Sequence, residues 1–228
     1  MSADITAPQI TPTAAMIRTL GLVSTICGLI IVGAYLGTFD AVQANKRLAL
    51  EREVFKVFPA ARSMTAFHAL PAGGVAAAGS GEVPAGSVKF YAAYDEAGKL
   101  VGVAAEGAAK GYADTVRILF GYVPDCQCVT GFGVVAMRET PGIGDKILTD
   151  ADFRASLKAL DVRLNADMSA LANEVRTVKH GTKTKDWEVD AIAGATITSR
   201  AVGKAINEAA QVLLPRLVPQ LDNVKEKK

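Results

Sequence analysis

The first strong pattern in the chain is a long apolar segment near the N-terminus. The segment between Arg18 and Asp40 contains no charged residue. At a rise of 1.5 Å per residue, a helix of this length matches the roughly 30 Å hydrocarbon core of a bilayer. The run is too long for the apolar core of a signal peptide, and no small-x-small cleavage site follows it. We therefore predict an uncleaved transmembrane anchor over residues 14–39, after a polar, disordered lead at 1–13.

Two segments with different residue patterns lie between the apolar segment and the first clear strand. Apolar residues recur on roughly one side of a helix that Pro59 would end: Val42, Leu50, Val54 and Phe58. Residues 69–87 are rich in Gly, Ala and Pro, which is typical of a loop or a flexible connection. Residues 40–87 are thus predicted to be a juxtamembrane helix followed by a connector.

Alternating apolar and polar residues then predict a series of strands. The predicted strands are Val88–Tyr91, Leu100–Ala105, Val116–Tyr122 and Val129–Met137. The short turns between them favour an antiparallel sheet over parallel strands joined by helices. A helix is predicted over 150–160, with Thr149 and Asp152 as a capping box, and a last strand pair is predicted near 177–178 and 187–189.

The C-terminal part of the domain is predicted to be an amphipathic helix. Thr198 or Ser199 is its predicted N-cap, and Pro215 is predicted to end it. Its apolar face recurs at three- and four-residue spacing: Val202, Ala205, Ile206, Ala209, Val212 and Leu213. The fold class is therefore α+β, with one domain of mainly antiparallel sheet and packed helices over 88–215 and a tail at 216–228.

The residues in front of this helix are candidates for binding an anion. Gly194 and Ala195 let backbone approach a ligand closely, and Thr196 adds a hydroxyl. The first turn of a helix leaves N–H groups unpaired, and its dipole stabilises negative charge there. These residues predict a phosphate site, although a Gly-Ala turn before a capped helix more often has only a structural role.

A second segment, Arg138–Ile147, predicts a tightly shaped loop. Pro141 fixes one backbone angle, and Gly142 and Gly144 permit positive φ. By itself this pattern also fits an ordinary surface turn.

Composition excludes several classes of protein. Half of the residues are hydrophobic, 21% are charged and the net charge is +2, so nothing indicates a nucleic-acid surface. The three cysteines, Cys27, Cys126 and Cys128, provide no disulfide framework. The Cys-x-Cys spacing is too tight for an ordinary bridge between strands, so inert thiols are expected. With two His in the chain, a protein-only metal site is not expected.

Both segments resemble a known family. Asp190, Gly194, Ala195 and Thr196 match the motif Asp-x-x-(Ser/Thr)-Gly-Ala-Thr of the FMN-binding domain in the G subunit of Rnf electron-transport complexes. The C subunit of the sodium-translocating NADH:quinone reductase carries the same motif. Glu139 to Gly144 resembles the family's Glu-Thr-Pro-Gly-(Leu/Ile)-Gly loop, and Gly111-Tyr112 resembles a further signature. Ala193 departs from the motif, because the family has Ser or Thr there.

The resemblance implies a covalent flavin. In the family, a dedicated flavin transferase links FMN to the Thr that follows Gly-Ala, which is Thr196 here, and Asp190 belongs to the recognised motif. The Glu-Thr-Pro-Gly loop lies against the flavin, with Ile143 near the ring, and Lys146 is a cation that favours a negatively charged reduced ring. The implied cofactor-binding residues are Thr196, Gly194, Ala195, Thr198, Ser199, Glu139, Thr140, Pro141, Gly142, Ile143, Gly144, Lys146 and Tyr112.

The resemblance also implies a function. The chain is expected to carry electrons within an ion-translocating ferredoxin:NAD+ oxidoreductase of the Rnf type, beside other membrane subunits, with no turnover alone. The C subunit of the quinone reductase is one alternative. A flavinless membrane-tethered binding or assembly module is another, and Ala193 is the main argument for it. A Thr or Ser hydrolase would need a positioned base. His68 lies beside the Gly- and Ala-rich connector and His180 lies in a polar, lysine-rich stretch predicted to be a solvated loop, so each is expected to be a solvated or a core histidine.

Charge and resemblance give opposite orientations for the anchor. Four cations follow it, and Arg18 alone precedes it, so counting positive charges puts the large domain in the cytoplasm. The count weakens for long translocated domains, and the family places its flavin domain outside the cytoplasmic membrane. We follow the family and predict a single-pass protein of the bacterial inner membrane with the domain on the periplasmic side. The cations counted after the anchor are Lys46, Arg47, Arg52 and Lys56.

Overall fold

The computed structural model describes residues 13–79 and 83–225. The predicted lead before Thr13 and the last three residues of the predicted tail lie outside the described residues. Two compact units are present: one ends at Leu48 and the other begins at Ala49.

Helix α1, Thr13–Val57, forms the described part of the N-terminal unit up to Leu48, and its last turns belong to the second unit. By length and composition, α1 is the one helix in the described residues that could cross a membrane. Its most apolar stretch is not buried against any part of the structure. These properties support the predicted anchor and show that the helix continues through the predicted juxtamembrane segment.

The second unit is built on a seven-stranded, entirely antiparallel sheet of order β2-β1-β3-β4-β5-β6-β7. Its strands are β1 Ser63–Ala69, β2 Val75–Ala77, β3 Val88–Tyr94, β4 Leu100–Lys110, β5 Thr115–Val123, β6 Cys128–Ala136 and β7 Leu160–Asp161. Two short parallel strands form a second sheet: β8 Arg176–Val178 and β9 Glu188–Asp190. The helices are α2 Ala151–Ser156, α3 Thr196–Leu217 and two 3-10 helices, Gly144–Leu148 and Val218–Asn223.

Helix α3 covers one face of the large sheet, and its backbone lies very close to strand β4. Gly107 of β4 permits this approach, because a Cβ atom there would lie 2.5 Å from the backbone oxygen of Ala205 in α3. Large side chains from both elements fill the core around this contact, among them Phe90, Ile118, Phe120, Ile206 and Leu213. This packing fixes the position of the helix, and with it the position of its first residue, Thr196.

The other face of the sheet is covered by the last turns of α1 within the second unit. Leu50, Val54 and Phe58 are buried there against a separate apolar cluster. That cluster includes Tyr91, Ala93, Ala104 and Leu119 of the sheet. Because both faces are covered, most residues of the central strands β4 and β5 are buried.

The predicted strands from Val88 to Met137 and the late strand pair are confirmed, but the predicted loop over 69–87 is partly wrong. Residues 75–77 form β2, and the sheet already begins at Ser63, before the predicted start at 88. Segment 63–69 pairs along its whole length with β3, and Phe67 stacks on Phe90. These partners are distant in the chain, so local composition does not reveal them.

The predicted helix over 150–160 is shorter than expected. Helix α2 ends at Ser156, and Leu160 belongs to β7. Ala159 has a φ of +57°, a left-handed conformation that cannot continue a helix. The predicted capping residue is also wrong, because the Asp150 side chain, rather than Thr149, accepts the hydrogen bond from the Phe153 N–H, at 2.8 Å.

Both ends of α3 differ from the prediction. The helix begins at Thr196 with Ala195 as its N-cap and no side-chain cap, and it continues past Pro215 to Leu217. Pro215 removes one N–H from the helix ladder, and its ring disfavours the regular preceding turn. Leu213, Leu214 and Leu217 are fully buried around it, so packing maintains the last turn.

The expectation of free thiols at Cys126 and Cys128 is wrong, because the two residues form a disulfide. In an extended strand, residues two apart are separated by about 6.6 Å along the chain. Here Gln127 adopts a φ of +51°, and the two Cα atoms lie 5.1 Å apart, within the usual range for a bridge. Cys27 is free and exposed.

Candidate functional site

The turn before α3 is held by a buried hydroxyl. Ser199 is completely buried; its hydroxyl accepts from the Ile192 N–H at 3.1 Å and donates to the Ala195 carbonyl at 3.0 Å. The Ala195 N–H also donates to the Ile192 carbonyl at 3.0 Å, and Gly194 has a φ of +83°. The small residues of the motif thus form a closed turn that leads directly into Thr196.

The neighbouring hydroxyl is also committed to an internal contact. Thr198 is 2% exposed and donates to Glu139 Oε2 at 2.8 Å. By contrast, within residues 13–79 and 83–225 the Thr196 hydroxyl has no hydrogen-bond partner, and its side chain is half-buried. Of the three hydroxyls at the start of α3, the Thr196 hydroxyl is therefore the one free to react.

Helix α3 presents backbone donors beside this hydroxyl. The N–H groups in the first turn of a helix have no carbonyl four residues earlier to accept from them, and in the described part of the chain no side chain caps α3. The positive end of the helix dipole lies at the same place. This end of α3 can therefore stabilise a phosphate charge next to Thr196.

Glu139 joins three separate segments at the site. One carboxylate oxygen accepts from the N–H groups of Ala113 and Asp114, at 3.2 and 3.4 Å, in the loop between β4 and β5. The other accepts from Thr198 of α3. Gly144 makes room for this side chain, because a Cβ atom there would lie 2.6 Å from the Cβ of Glu139. Glu139 thus fixes the relative positions of both loops and the helix.

The loop after Glu139 is a tight turn, as predicted. The N–H groups of Ile143 and Gly144 both donate to the Thr140 carbonyl, at 3.1 and 3.0 Å, and Gly142 has a φ of +76°. The turn projects Ile143 outward, with half of its surface exposed.

A cavity of about 550 Å³ lies between these segments. Three apolar side chains on its walls, Tyr112, Ile143 and Ile197, are 69%, 50% and 50% exposed. Such a volume is typical of sites for small molecules and cofactors. The other residues that line it are Glu139, Thr140, Gly144, Gly194, Ala195, Thr196 and Thr198.

Most of the predicted binding residues meet at this cavity, but a few do not. Pro141, Gly142 and Ser199 shape the turns behind it, and Lys146 lines a neighbouring polar cavity of about 440 Å³. Ile197 was not predicted from the sequence. Its position directly after Thr196 is the one signal in the sequence that could have identified it.

Asp190, the first residue of the motif, has a structural contact. Its two carboxylate oxygens accept from the Gly181 N–H at 2.8 and 3.0 Å, and His180 Nδ1 lies 3.1 Å from the Ala191 carbonyl. The lysine-rich segment around His180 is an exposed loop, as predicted, and it is also hydrogen-bonded to the motif. Lys183 donates to the Ser156 carbonyl at 2.7 Å, and burial lowers the pKa of this lysine.

Comparison with known proteins identifies the domain. Residues 111–211 match the family model described as the FMN-binding domain. The match includes Tyr112, the loop after Glu139 and the turn at Thr196, which are the segments that meet at the cavity.

Curated proteins that this chain resembles are G subunits of ion-translocating complexes. The chain is 34% identical over 122 residues to the G subunit of the ion-translocating oxidoreductase complex of Methanosarcina acetivorans, covering 54% of this chain and 56% of the relative. It is 27% identical to the G subunit of the proton-translocating ferredoxin:NAD(+) oxidoreductase complex of Clostridium ljungdahlii, covering 86% and 89%. The chain thus spans little more than half of the first relative and most of the second. These matches confirm the resemblance to the FMN-binding domain and to the G subunits of such complexes.

Solved structures confirm the fold. The crystal structure of NqrC from Shewanella oneidensis superposes with a TM-score of 0.59 at 22% identity, over 80% of this chain and 99% of that chain. The C subunit of the sodium-translocating NADH-quinone reductase from Parabacteroides distasonis superposes with a TM-score of 0.55 at 20% identity, over 70% and 79%. The predicted α+β class, with a mostly antiparallel sheet, is therefore confirmed.

Replacing Glu139 tests its contacts. We expect Glu139→Ala to lower the free energy of unfolding by about 1–3 kcal/mol, because the Thr198 hydroxyl and two loop N–H groups lose their acceptor. Glu139→Gln keeps the shape of the side chain and one acceptor oxygen, so it should lower the free energy of unfolding by less than about 1 kcal/mol. Denaturant unfolding followed by the fluorescence of Trp187, the one tryptophan, measures both. Equal, negligible effects of the two variants would contradict the bridging role.

Proposed function

We propose that this protein is a membrane-anchored electron-transfer subunit that carries FMN esterified to Thr196. It would work beside other membrane subunits in an ion-translocating ferredoxin:NAD+ oxidoreductase complex, and it would have no turnover alone. The observation that carries the proposal is the free Thr196 hydroxyl at the open N-terminus of α3, on the wall of a partly apolar cavity. The family match and the names of the relatives support FMN and the type of complex.

The residues around the cavity fit a flavin with a phosphate tail. The unpaired N–H groups of the first turn of α3 would stabilise the charge that remains on an esterified phosphate. Tyr112, Ile143 and Ile197 would cover the apolar ring and exclude water from part of it. Bound FMN itself supplies the redox chemistry, and the protein supplies attachment, orientation and surroundings.

A covalent bond suits a carrier of this kind, because it removes the dissociation equilibrium of the cofactor. The acceptor turn is accessible to a modifying enzyme, since Ala193 and Gly194 are exposed beside Thr196. We propose that a flavin transferase attaches FMN during maturation. Ala193 lies on the surface of the turn, so its departure from the motif affects the part of the turn that such an enzyme would contact.

Mass spectrometry of the peptide that contains Thr196, isolated from the native host, tests the attachment. We expect its mass to exceed that of the unmodified peptide by one FMN less one water. An unmodified peptide would overturn the flavin proposal and favour a flavinless binding or assembly module on the same fold.

We propose that the FMN-binding domain lies on the extracytoplasmic side of the membrane. The Cys126–Cys128 disulfide supports this side, because disulfides form and persist in oxidising compartments and are rare in the cytosol.

Protease treatment of intact spheroplasts tests the orientation. We expect the domain to be digested while a cytoplasmic marker protein remains whole. Lysed spheroplasts provide the control in which both proteins are cut. Protection of the domain in intact spheroplasts would reverse the proposed orientation and agree with the count of positive charges.

A further inference from the structure

The disulfide lies at the end of β5 away from the proposed flavin site and has no part in that function. The loop that contacts Glu139 precedes β5, whereas Cys126 lies in the turn that follows it. The two cysteines are two residues apart in sequence, so the bridge closes a very short ring. The ring adds a covalent, reducible group to the tip of a hairpin.

The two cysteine residues differ in exposure to solvent. Cys126 is exposed, whereas Cys128 is 5% exposed and belongs to the first residue pair between β6 and β7. In thiol–disulfide exchange, a thiolate attacks one sulfur and displaces the other. Because Cys126 is the exposed residue, a thiolate would attack its Sγ, and Cys128 Sγ would be the leaving group.

The fold does not depend on the bridge. The entropic stabilisation from a cross-link grows with the length of the loop that it closes, so a ring with a sequence separation of 2 contributes little. The backbone independently holds the turn, because the Gln127 N–H donates to the Pro124 carbonyl and the Gln127 carbonyl accepts from the Val162 N–H, both at 3.2 Å. The domain can thus remain folded with the bridge open or closed.

We propose that Cys126–Cys128 is a thiol–disulfide exchange site on the folded domain, with a dithiol as its reductant. One thiolate of the dithiol attacks Cys126 Sγ to form a mixed disulfide, and Cys128 leaves as a thiolate that takes up a proton. The second thiol of the reductant then attacks its own sulfur in the mixed disulfide and releases Cys126. The bridge gains two electrons and two protons, and the dithiol is oxidised to a disulfide.

The first experiment uses the full chain in detergent with Cys27→Ala, which removes the remaining cysteine. Maleimide labelling and intact-mass measurement should find no label before reduction and two labels after brief treatment with dithiothreitol in native buffer. Trp187 fluorescence should not change. Free thiols in the untreated protein, or a bridge that opens only in denaturant, would overturn the proposal.

A second experiment tests the direction of attack with two matched variants that keep one thiol each, Cys128→Ser and Cys126→Ser in the same background. Because a buried thiol is shielded from the reagent and less readily ionised than an exposed one, we expect the remaining Cys126 to react with an aromatic disulfide reagent at least about tenfold faster than the remaining Cys128. Equal rates in folded variants would overturn the assignment of Cys126. Thr196→Ala should leave the exchange unchanged, so failure of the flavin proposal and failure of this one can be distinguished.

Discussion

Replacing Thr196 with alanine is expected to abolish covalent flavin completely. When the chain is produced with a flavin transferase and run on a denaturing gel, the unsubstituted protein should fluoresce and Thr196→Ala should not. The reason is local: the hydroxyls of Thr198 and Ser199 are buried and hydrogen-bonded, whereas the Thr196 hydroxyl is free in the described part of the chain. No neighbouring side chain in α3 can take over as acceptor without breaking a contact that holds the site.

A conservative variant separates the hydroxyl from the fold. Thr196→Ser keeps the hydroxyl and should retain fluorescence, while Thr196→Ala should change the free energy of unfolding by no more than about 0.5 kcal/mol, because it removes no buried contact. A fluorescent Thr196→Ala band would show that the bond lies elsewhere. A dark band from the unsubstituted protein, produced with the transferase, would argue against flavinylation altogether.

The substitution Gly107→Ala, which adds a single methyl group, is expected to destabilise the domain strongly. The new Cβ would lie 2.5 Å from the backbone oxygen of Ala205. A backbone atom cannot rotate out of the way, so α3 would have to move off the sheet. Overpacking of this kind costs about 1–3 kcal/mol and occasionally more. The denaturant midpoint, followed by Trp187 fluorescence, should fall accordingly.

Gly131 provides the matched control for this prediction. It is also a strand glycine, in β6, but a Cβ atom there would have no neighbour within 4 Å. Gly131→Ala should therefore be neutral or slightly stabilising, because alanine restricts the unfolded chain more than glycine does. If both variants were equally stable, the close approach of α3 to β4 would be contradicted.

The fold was predictable where local patterns report burial. The alternation from Val88 to Met137 and the three- and four-residue periodicity of α3 reflect one buried face of each element, and these elements are present. Strand β1 was missed because its evidence is the pairing with β3, which no local pattern records. The end of α2 was missed because it depends on the backbone conformation of Ala159, a residue with high helix propensity.

The sequence by itself determined the apolar anchor, the order of the two motifs and the identity of Thr196 as the candidate acceptor. Only the tertiary structure decided what the other polar residues do. Glu139 and Thr198 are 59 residues apart in the chain and form one hydrogen bond. Cys126 and Cys128 approach because of a left-handed turn. The physical reason is that periodicity and motifs record the environment of each segment, whereas contacts between segments are fixed by how those segments pack.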